Sequence, residues 1–335
     1  MNLNKRLKIS IIAVLVISAI ALIIAYFYSF SKSDEVNVRL KWIHQAQFAG
    51  FYYAEKAGFY KNEGIKVKLN PGGVDFPSIK MVASGSEQFG VTGADQVILA
   101  RSKGIPVVAI AIIYRKSPMV FFSLKESNIT KPQDFIGKNV GVKYGGNEEL
   151  TYRALLNKLK INKDSINEIP VKYDMSPLFS KQIDVWPGYS INEPIIAKEK
   201  GYEVNIIWPS DYGINMYADA IFTTESMIKK HPKLVKRFLL ATIKGWNAAY
   251  NNPEKAVSFT LQYSNSLKRK HELAMMKSSL ILLKPDNKPI GSMEDKIWKE
   301  MQELLLNQGF IKKRININKA YNSKFIEEVN YELEN

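Results

Sequence analysis

Residues 41–64 have the sequence KWIHQAQFAGFYYAEKAGFYKNEG, and the alternating segment IKVKL follows at 65–69. This pattern predicts the end of a strand, an aromatic-rich turn, a helix that ends at Gly58, and a second strand. Aromatic rings therefore gather at the carboxyl end of a strand. Ligands of α/β sheets bind at that edge, so the turn is the first candidate for a binding site.

Apolar, β-rich runs alternate with helical patterns along the rest of the chain. Such alternation predicts a mostly parallel sheet covered by helices. The pattern occurs twice in succession, which indicates two α/β lobes, and the tail from His231 onward is predicted to be helical. The predicted strands are 36–42, 65–69, 88–92, 107–114, 139–143, 168–173, 184–186 and 204–208, with 119–124 as a segment that crosses between the lobes.

The composition fits a large globular body. A chain of 335 residues, 46% of them hydrophobic, can bury a sizeable core. It contains no cysteine, which excludes disulfides, thiolate metal sites and cysteine nucleophiles. The net charge of +15 lies on lysine-rich helix faces without interleaved stacking aromatics, so an anionic membrane surface or solute is favoured over nucleic acid.

The first thirty residues form a separate unit. Lys5, Arg6 and Lys8 precede an uncharged, mostly apolar run at 9–28, which is long enough to cross a bilayer. Basic residues before this run place the body outside the cytoplasm. Residues 1–30 are therefore predicted to be a signal anchor or a signal peptide. The anchor is favoured, because no A-x-A pattern lies at the polar end of the run, and it would bring the membrane in as a partner.

Three strand-to-helix junctions carry small or polar residues that leave backbone N–H groups free for a ligand. The first is GGVDF at 72–76, the second is YGGNE at 144–148, and the third places Asp95 and Gln96 after GVTGA. The alternative is ordinary helix capping by Asp75, Asn147 and Asp95. No histidine pair has metal-binding spacing and no serine lies in a G-x-S-x-G elbow, so no catalytic or metal-binding residue is predicted.

The segment WPGYSINEP at 186–194 places two aromatic rings beside an amide and a carboxylate. Stacking faces next to a charged acceptor suit a planar, nitrogen-bearing ring. In the alternative interpretation Trp186 and Tyr189 are core residues and Glu193 is a first-turn helix charge.

DYGINMYAD at 211–219 completes the predicted site, with Tyr212 and Tyr217 closing over a ligand and Asp219 as a hinge hydrogen-bond partner. His44, in the aromatic turn, is either a ligand contact or a turn hydrogen bond. The predicted ligand-binding residues are Trp42, His44, Gln47, Phe48, Asp75, Asp95, Gln96, Tyr114, Tyr144, Gly145, Gly146, Asn147, Trp186, Tyr189, Asn192, Glu193, Tyr212 and Tyr217.

Several segments between residues 36 and 255 resemble the SsuA/THI5-like (NMT1/THI5-like) family of periplasmic solute-binding proteins. They include GFYKNEG at 58–64, VASG at 82–85, GIPVVA at 104–109 and GKNVG at 137–141. The resemblance implies an α/β, type II periplasmic-binding-protein fold, in which two lobes joined by a hinge close on a small molecule in the cleft between them. Lobe 1 would comprise 36–122 and 224–335, and lobe 2 would comprise 123–223.

The same resemblance implies a function. Such proteins pass their ligand to the permease subunits of an ABC transporter, and the aromatic richness favours a planar heterocycle, either a thiamine-pyrimidine precursor or a flavin-like molecule. Asn-Glu-Pro at 192–194 matches the position where pyrimidine binders of the family carry a ligand-facing glutamate. No cofactor is expected.

Two other functions occur among relatives of this family. Pyrimidine synthases related to it use a histidine, pyridoxal phosphate and a cysteine-rich iron motif. Gln96 occupies the position of that histidine, and this chain has no cysteine, so the enzyme alternative is disfavoured. Similar domains also act as extracytoplasmic sensors, which would require a separate signalling partner here.

Overall fold

The computed structural model describes Ser10, Leu15, Ser18 and residues 33–335. Apart from those three positions, the predicted anchor at 1–30 lies outside the described residues. In the part of the chain that is described, none of the helices has the length and apolar character needed to span a bilayer.

The first sheet contains five strands in the order β2-β1-β3-β10-β4. Strands β1, β2 and β3 pair in parallel, whereas β10 runs antiparallel between β3 and β4. The antiparallel strand, which the sequence pattern did not predict, returns from the second half of the chain. The strands are β1 (Asp34–Arg39), β2 (Ile65–Asn70), β3 (Phe89–Thr92), β4 (Val107–Tyr114) and β10 (Ala218–Thr224).

The second sheet repeats this design in the order β7-β6-β8-β5-β9. Here β5 is the antiparallel strand, lying between β8 and β9. The segment at 119–124, predicted to cross between lobes, is therefore a central strand of this sheet. The strands are β5 (Met119–Leu124), β6 (Asn139–Val142), β7 (Asn167–Pro170), β8 (Val185–Tyr189) and β9 (Val204–Ile207).

Helices cover both sheets, as the alternating pattern predicts. In the described residues the α-helices are α1 (Ala49–Lys56), α2 (Phe59–Asn62), α3 (Ser78–Ala83), α4 (Ala94–Ser102), α5 (Asn147–Lys158), α6 (Ser176–Phe179), α7 (Glu193–Glu199), α8 (Glu225–Lys230), α9 (Pro232–Asn251), α10 (Pro253–Thr260), α11 (Arg269–Leu283), α12 (Asp295–Asn307) and α13 (Lys324–Glu334). Short 3-10 turns occur at Ala46–Phe48, Lys125–Ser127, Pro132–Phe135, Lys163–Ser165, Pro209–Tyr212, Leu261–Tyr263 and Ile317–Lys319.

The chain passes between the sheets twice, once between β4 and β5 and once between β9 and β10. We call the first sheet with its helices lobe 1 and the second sheet with its helices lobe 2. These strand memberships put the crossings at 115–118 and 208–217. The lobe limits predicted from the sequence, at 122/123 and 223/224, fall inside β5 and β10 and stay a prediction.

Lobe 1 depends on close contact between α1 and α9. The Trp246 ring, which is fully buried, lies over Gly50, where an added Cβ would come within 2.1 Å of the indole. One residue earlier, a Cβ on Gly245 would lie 2.3 Å from the Gly50 carbonyl oxygen and 2.6 Å from the Ala54 Cβ. Two glycines therefore set the distance between these helices.

We predict that Gly245→Ala destabilises the protein by about 1–3 kcal/mol, because the clash with the α1 backbone outweighs the gain in helix propensity. Urea unfolding followed by circular dichroism measures this change. Asn247→Ala, a half-buried position on the same helix, is the matched control and should have no destabilising effect. Equal or greater stability of Gly245→Ala would show that the helices are not in close contact here.

Candidate functional site

The carboxyl-terminal ends of strands from the two sheets face each other across a cleft. Lys41 and Trp42 follow β1 in lobe 1, and Tyr189 ends β8 in lobe 2. The Lys41 ammonium donates a hydrogen bond to the Tyr189 hydroxyl and lies 4.7 Å from the centre of the Tyr189 ring. The Trp42 ring meets Tyr173 of lobe 2 at a centroid distance of 4.9 Å. Side chains of the two lobes thus touch, and the cleft is closed.

A buried polar network surrounds the Lys41 ammonium. Its Nζ lies 3.5 Å from Oδ1 of Asp219, a residue that is only 1% exposed. The other Asp219 oxygen accepts a 2.7 Å hydrogen bond from Gln47, whose own side-chain oxygen accepts one from Gln45. Burial raises the pKa of Asp219, although Lys41 opposes this. Burial by itself would lower the pKa of Lys41, but Tyr189 and Asp219 outweigh it and raise that pKa.

Asp219 also has an unusual backbone. Its φ of +52° lies in the left-handed region, which costs energy for a non-glycine residue. Asp219 is the second residue of β10, directly after the second crossing. The ion pair with Lys41 thus holds a strained residue at the point where the chain re-enters lobe 1.

A second buried carboxyl lies on the lobe 1 side of the cleft. Asp95 belongs to the first turn of α4, immediately after β3, and has no exposed surface. Its Oδ2 accepts a 2.7 Å hydrogen bond from the Gln96 side chain. Its surroundings include Lys41 from the same lobe and Glu148 from lobe 2, and burial raises its pKa.

Lobe 2 contributes a second lysine and two glutamates. Lys143, which follows β6 directly, has its Nζ 3.2 Å from Glu193 and 3.9 Å from Glu148. The other Glu193 oxygen accepts a 2.8 Å hydrogen bond from the Tyr189 backbone N–H. Lys143 also lies over the Tyr173 ring, at 5.4 Å from its centre. Glu193 is therefore held at the cleft by both an ion pair and the main chain.

Taken together, the cleft has two ammonium groups and four carboxyl groups between aromatic faces. Such a surface can stack against a planar ring and accept hydrogen bonds from N–H donors on its edge.

The structure brings together six of the predicted residues at this cleft. Lys41, Lys143, Glu148 and Tyr173 were missed by the sequence reasoning, although each follows a parallel strand directly or within a few residues. That position relative to the strand was the available signal. The six predicted residues are Trp42, Gln47, Asp95, Gln96, Tyr189 and Glu193.

Trp186 was predicted to contact the ligand, and this prediction is wrong for the described conformation. Its side chain is fully buried in a hydrophobic cluster of lobe 2 with Phe122 and Leu178. Trp186 lies on a central strand three residues before Tyr189, so its side chain points to the opposite face of the sheet.

Phe48, Tyr114 and Tyr217 are core residues too. Phe48 is fully buried, and the Tyr114 hydroxyl donates beneath the cleft to the Gln47 carbonyl at 3.1 Å. Tyr217 accepts a 2.9 Å hydrogen bond from the Glu294 backbone and lines a separate cavity of about 320 Å³ between the crossing segments. Tyr212 packs, half-buried, against the same hydrophobic cluster as Tyr217.

His44 lies in an aromatic cluster within lobe 1. Its Nδ1 is 3.0 Å from the Tyr52 hydroxyl, and its ring lies 5.2 Å from that of Tyr263. Burial lowers the pKa of His44. The structure therefore supports the turn hydrogen bond rather than a ligand contact.

The remaining predicted residues lie on the loops around the cleft. Asp75 is exposed, the exposed Tyr144 donates to Glu168 at 3.1 Å, and the Gly145 N–H donates to Glu149 at 2.8 Å. Gly146 precedes α5, whose first residue, Asn147, is buried with no hydrogen-bond partner for its amide among the described residues.

Asn192 takes part in a further contact between the lobes. His271 of α11 places Nε2 3.2 Å from the Asn192 side-chain oxygen and Nδ1 3.1 Å from Glu199. The contact between Asn192 and His271 therefore joins lobe 2 to lobe 1 next to Glu193.

The family model described as NMT1/THI5 like matches residues 45–256, which include all of lobe 2 and the cleft residues from both lobes after Trp42. The chain belongs to the NMT1/THI5-like family. The family resemblance found in the sequence is thereby confirmed.

Curated relatives of this family member include both binding proteins and enzymes. The riboflavin-binding protein RibY of Chloroflexus aurantiacus is 25% identical, covering 88% of this chain and 86% of its own. The formylaminopyrimidine-binding protein of Halalkalibacterium halodurans is 24% identical, covering 87% and 90%. The 4-amino-5-hydroxymethyl-2-methylpyrimidine phosphate synthase of Legionella pneumophila is 25% identical, covering 71% and 76%.

Solved structures confirm the fold. The periplasmic sulfonate-binding protein SsuA of Methylobacillus flagellatus superposes with a TM-score of 0.70 at 16% identity, over 91% of this chain and 96% of that one. This NMT1/THI5-like protein therefore has the α/β periplasmic-binding-protein fold with two sheets.

We predict that Lys41→Met destabilises the protein by about 3 kcal/mol at pH 7, because the buried Asp219 carboxylate loses its cation. The loss should shrink as the pH is lowered, since the pKa of Asp219 is already raised and its protonation removes the unpaired charge. Urea unfolding at pH 7 and pH 5 measures both effects.

Lys66→Met is the matched control. Lys66 pairs with Glu35 on the surface, and both side chains are mostly exposed, so no measurable change is expected. Equal stability of the Lys41 and Lys66 variants would mean that the Lys41 network does not stabilise the closed protein.

Proposed function

We propose that this chain is an extracytoplasmic solute-binding protein that captures a small planar heterocycle by closure of its two lobes. The observation that carries the proposal is the cleft itself, where Trp42 and Tyr173 face each other from different lobes beside Glu193 and Asp95. Aromatic faces would hold the ring and carboxyl groups would bind its polar edge.

Binding requires the lobes to separate. A ring held between Trp42 and Tyr173 needs about 7 Å between their planes, twice the roughly 3.5 Å contact distance of carbon atoms. The centroids are now 4.9 Å apart. The contacts between the lobes must therefore open before a ligand enters, and the ligand would then replace them.

The charges of the cleft favour one class of ligand. Four carboxyl groups outnumber the two ammonium groups of Lys41 and Lys143, and both ammonium groups already contact acids of the same protein. A solute with N–H donors gains hydrogen bonds here, whereas a sulfonate would meet excess negative charge. The named ligands of two relatives, riboflavin and formylaminopyrimidine, are planar nitrogen heterocycles, in agreement with this charge pattern.

The partners that a transporter's solute-binding protein requires are its permease subunits. We propose that this chain, as a solute-binding protein outside the cytoplasm, passes its ligand to the permease subunits of an ABC transporter. Membrane attachment through residues 1–30 stays a prediction. We propose that the bound solute leaves unchanged, although synthases also occur among the relatives. In these synthases the family resemblance implies a histidine where this chain has Gln96.

The proposal is tested by native mass spectrometry of the purified protein, followed by calorimetry with riboflavin and with formylaminopyrimidine. We expect a retained small molecule or binding of one of these probes, with the probe recovered intact. Lack of binding to either probe together with no retained molecule would contradict the proposed function. Chemical conversion of a bound pyrimidine would instead support the synthase alternative.

We predict that Glu193→Gln weakens binding of the tighter probe by about 10- to 100-fold, the loss of one hydrogen bond to a charged acceptor. Calorimetry measures the change, and circular dichroism verifies folding. Glu203→Gln is the matched control, because Glu203 is exposed and pairs with Lys125 on the surface of lobe 2. An unchanged affinity of Glu193→Gln would remove this residue from the site.

We predict that Trp42→Leu weakens binding by about tenfold, since a favourable aromatic contact contributes about 0.5–1.5 kcal/mol beyond its buried area. The same titration measures the change. Tyr331→Leu, an exposed aromatic residue on α13, is the control and should bind normally. If both variants bound equally well, the ring would not stack on Trp42.

A further inference from the structure

We propose that Asp95 binds the ligand as a neutral carboxylic acid, donating through its O–H and accepting through its carbonyl oxygen. The inference rests on the proposed function and adds the form in which the cleft recognises the ligand. It assigns to the ligand a ring edge with a lone-pair acceptor directly beside an N–H donor.

The Asp95 carboxyl group lies in a position that disfavours its ionised form. Asp95 has no exposed surface, and only Oδ2 has a partner, the Gln96 amide at 2.7 Å. Oδ1 is buried and has no hydrogen-bond partner in residues 33–335. An ionised carboxylate with one bare, buried oxygen is costly, and a proton on the group removes most of that cost.

The charges around Asp95 also favour its protonated form. The cation that faces it, Lys41, contacts Tyr189 and Asp219 and forms no ion pair with Asp95. Glu148 faces it from lobe 2 and adds negative charge. Two buried carboxyl groups, those of Asp95 and Asp219, therefore share one ammonium group, and the energetic cost is lowest when one of the two is protonated. Because Lys41 pairs with Asp219, the proton lies on Asp95.

Several influences oppose a proton on Asp95. Hydrogen bonds from the side chain and the main chain of Gln96 favour the ionised form. The residue lies in the first turn of α4, where the helix dipole favours an anion, and Lys41 acts in the same direction. Burial is the larger influence, and the pKa of Asp95 is raised. The same burial makes the group sensitive to what a ligand offers to Oδ1.

A neutral acid recognises a particular pattern. Its O–H donates to a lone pair and its carbonyl accepts an N–H, so two adjacent hydrogen bonds form with a ring that presents an acceptor next to a donor. An aminopyrimidine has this pattern in a ring nitrogen beside an amino group. The imide of a flavin has it in a carbonyl beside an N–H. Riboflavin and formylaminopyrimidine, the ligands in the names of the two relatives, can therefore both serve as probes.

Gly93 keeps the space that the carboxyl group needs. A Cβ at this position would lie 2.2 Å from Asp95 Oδ1. The bare oxygen thus lies directly against the turn that joins β3 to α4, where side chains of both lobes meet. Any residue larger than glycine would displace it.

The test compares Asp95→Asn with Asp95→Leu across pH 5–8.5, using calorimetry with the tighter of riboflavin and formylaminopyrimidine. Asparagine keeps one donor and one acceptor but cannot titrate. We expect Asp95→Asn to bind within about threefold of the unaltered protein at low pH and to lose the pH dependence. Asp95→Leu should bind at least 30-fold more weakly at every pH, since it has neither group.

A requirement for protonated Asp95 determines how the ligand affinity of the unaltered protein changes with pH. If Asp95 must be protonated, affinity is full below its pKa in the free protein and falls by about tenfold per pH unit above it. Titration of Lys41, Asp219, Tyr189, Glu148 or Glu193 would persist in Asp95→Asn, so only the difference between the two profiles is assigned to Asp95. Asp211→Asn, at an exposed aspartate, should reproduce the unaltered profile.

The opposite pattern would overturn the inference. If Asp95→Asn bound at least 30-fold more weakly while the affinity of the unaltered protein rose with pH, Asp95 would act as a carboxylate, and the proposed function would still stand. If the unaltered protein bound neither probe at any pH and retained no small molecule, the proposed function would fail and this inference with it. Circular dichroism of each variant separates misfolding from loss of recognition.

Discussion

The closed form of this protein depends on one half-buried ammonium group, that of Lys41. Lys41 follows the first strand of lobe 1, yet its nitrogen contacts Tyr189 of lobe 2 and Asp219 at the return crossing. Desolvation of this ammonium group is costly, and it is offset by Asp219 within lobe 1 and, while the lobes are together, by Tyr189 of lobe 2. The same contact restrains Asp219 in a left-handed backbone conformation. Closure, backbone strain and charge balance are thus coupled through a single side chain.

The sheet topology explains why this coupling arises at the cleft. Each sheet has four strands in one direction and one antiparallel strand supplied by a crossing of the chain. The carboxyl ends of the parallel strands therefore converge between the lobes, together with the loops and helix starts that follow them. Lys41, Asp95, Lys143 and Glu193 all reach the cleft by this route. Each ammonium group pairs with a carboxyl group of its own lobe, whereas Tyr189 and Tyr173 contact Lys41 and Trp42 across the cleft, so an incoming ligand must replace these contacts between the lobes.

The relatives of this chain include both binding proteins and enzymes. Proteins named for binding riboflavin and formylaminopyrimidine match most of this chain, and synthases match a smaller part of it. A shared fold alone does not determine whether the cleft binds or converts its ligand. The surplus of carboxyl groups and the aromatic faces favour recognition of a nitrogen heterocycle. A fold of this kind keeps the body of the chain constant and changes the loops that follow the strands.

The sequence by itself determined the type of most elements, the family, and six of the residues that lie at the cleft, namely Trp42, Gln47, Asp95, Gln96, Tyr189 and Glu193. These follow from local periodicity and from the rule that ligands meet the ends of parallel strands. It did not predict β10, because an antiparallel return strand is defined by its neighbours from the first half of the chain. Only the tertiary structure decided that Trp186 is a core residue while Tyr189 faces the cleft, since strand register selects which face is buried. It also decided that Lys41 meets Asp219 and that Trp42 meets Tyr173, because contacts across 130 or more residues depend on how strands and sheets are placed and not on any local pattern.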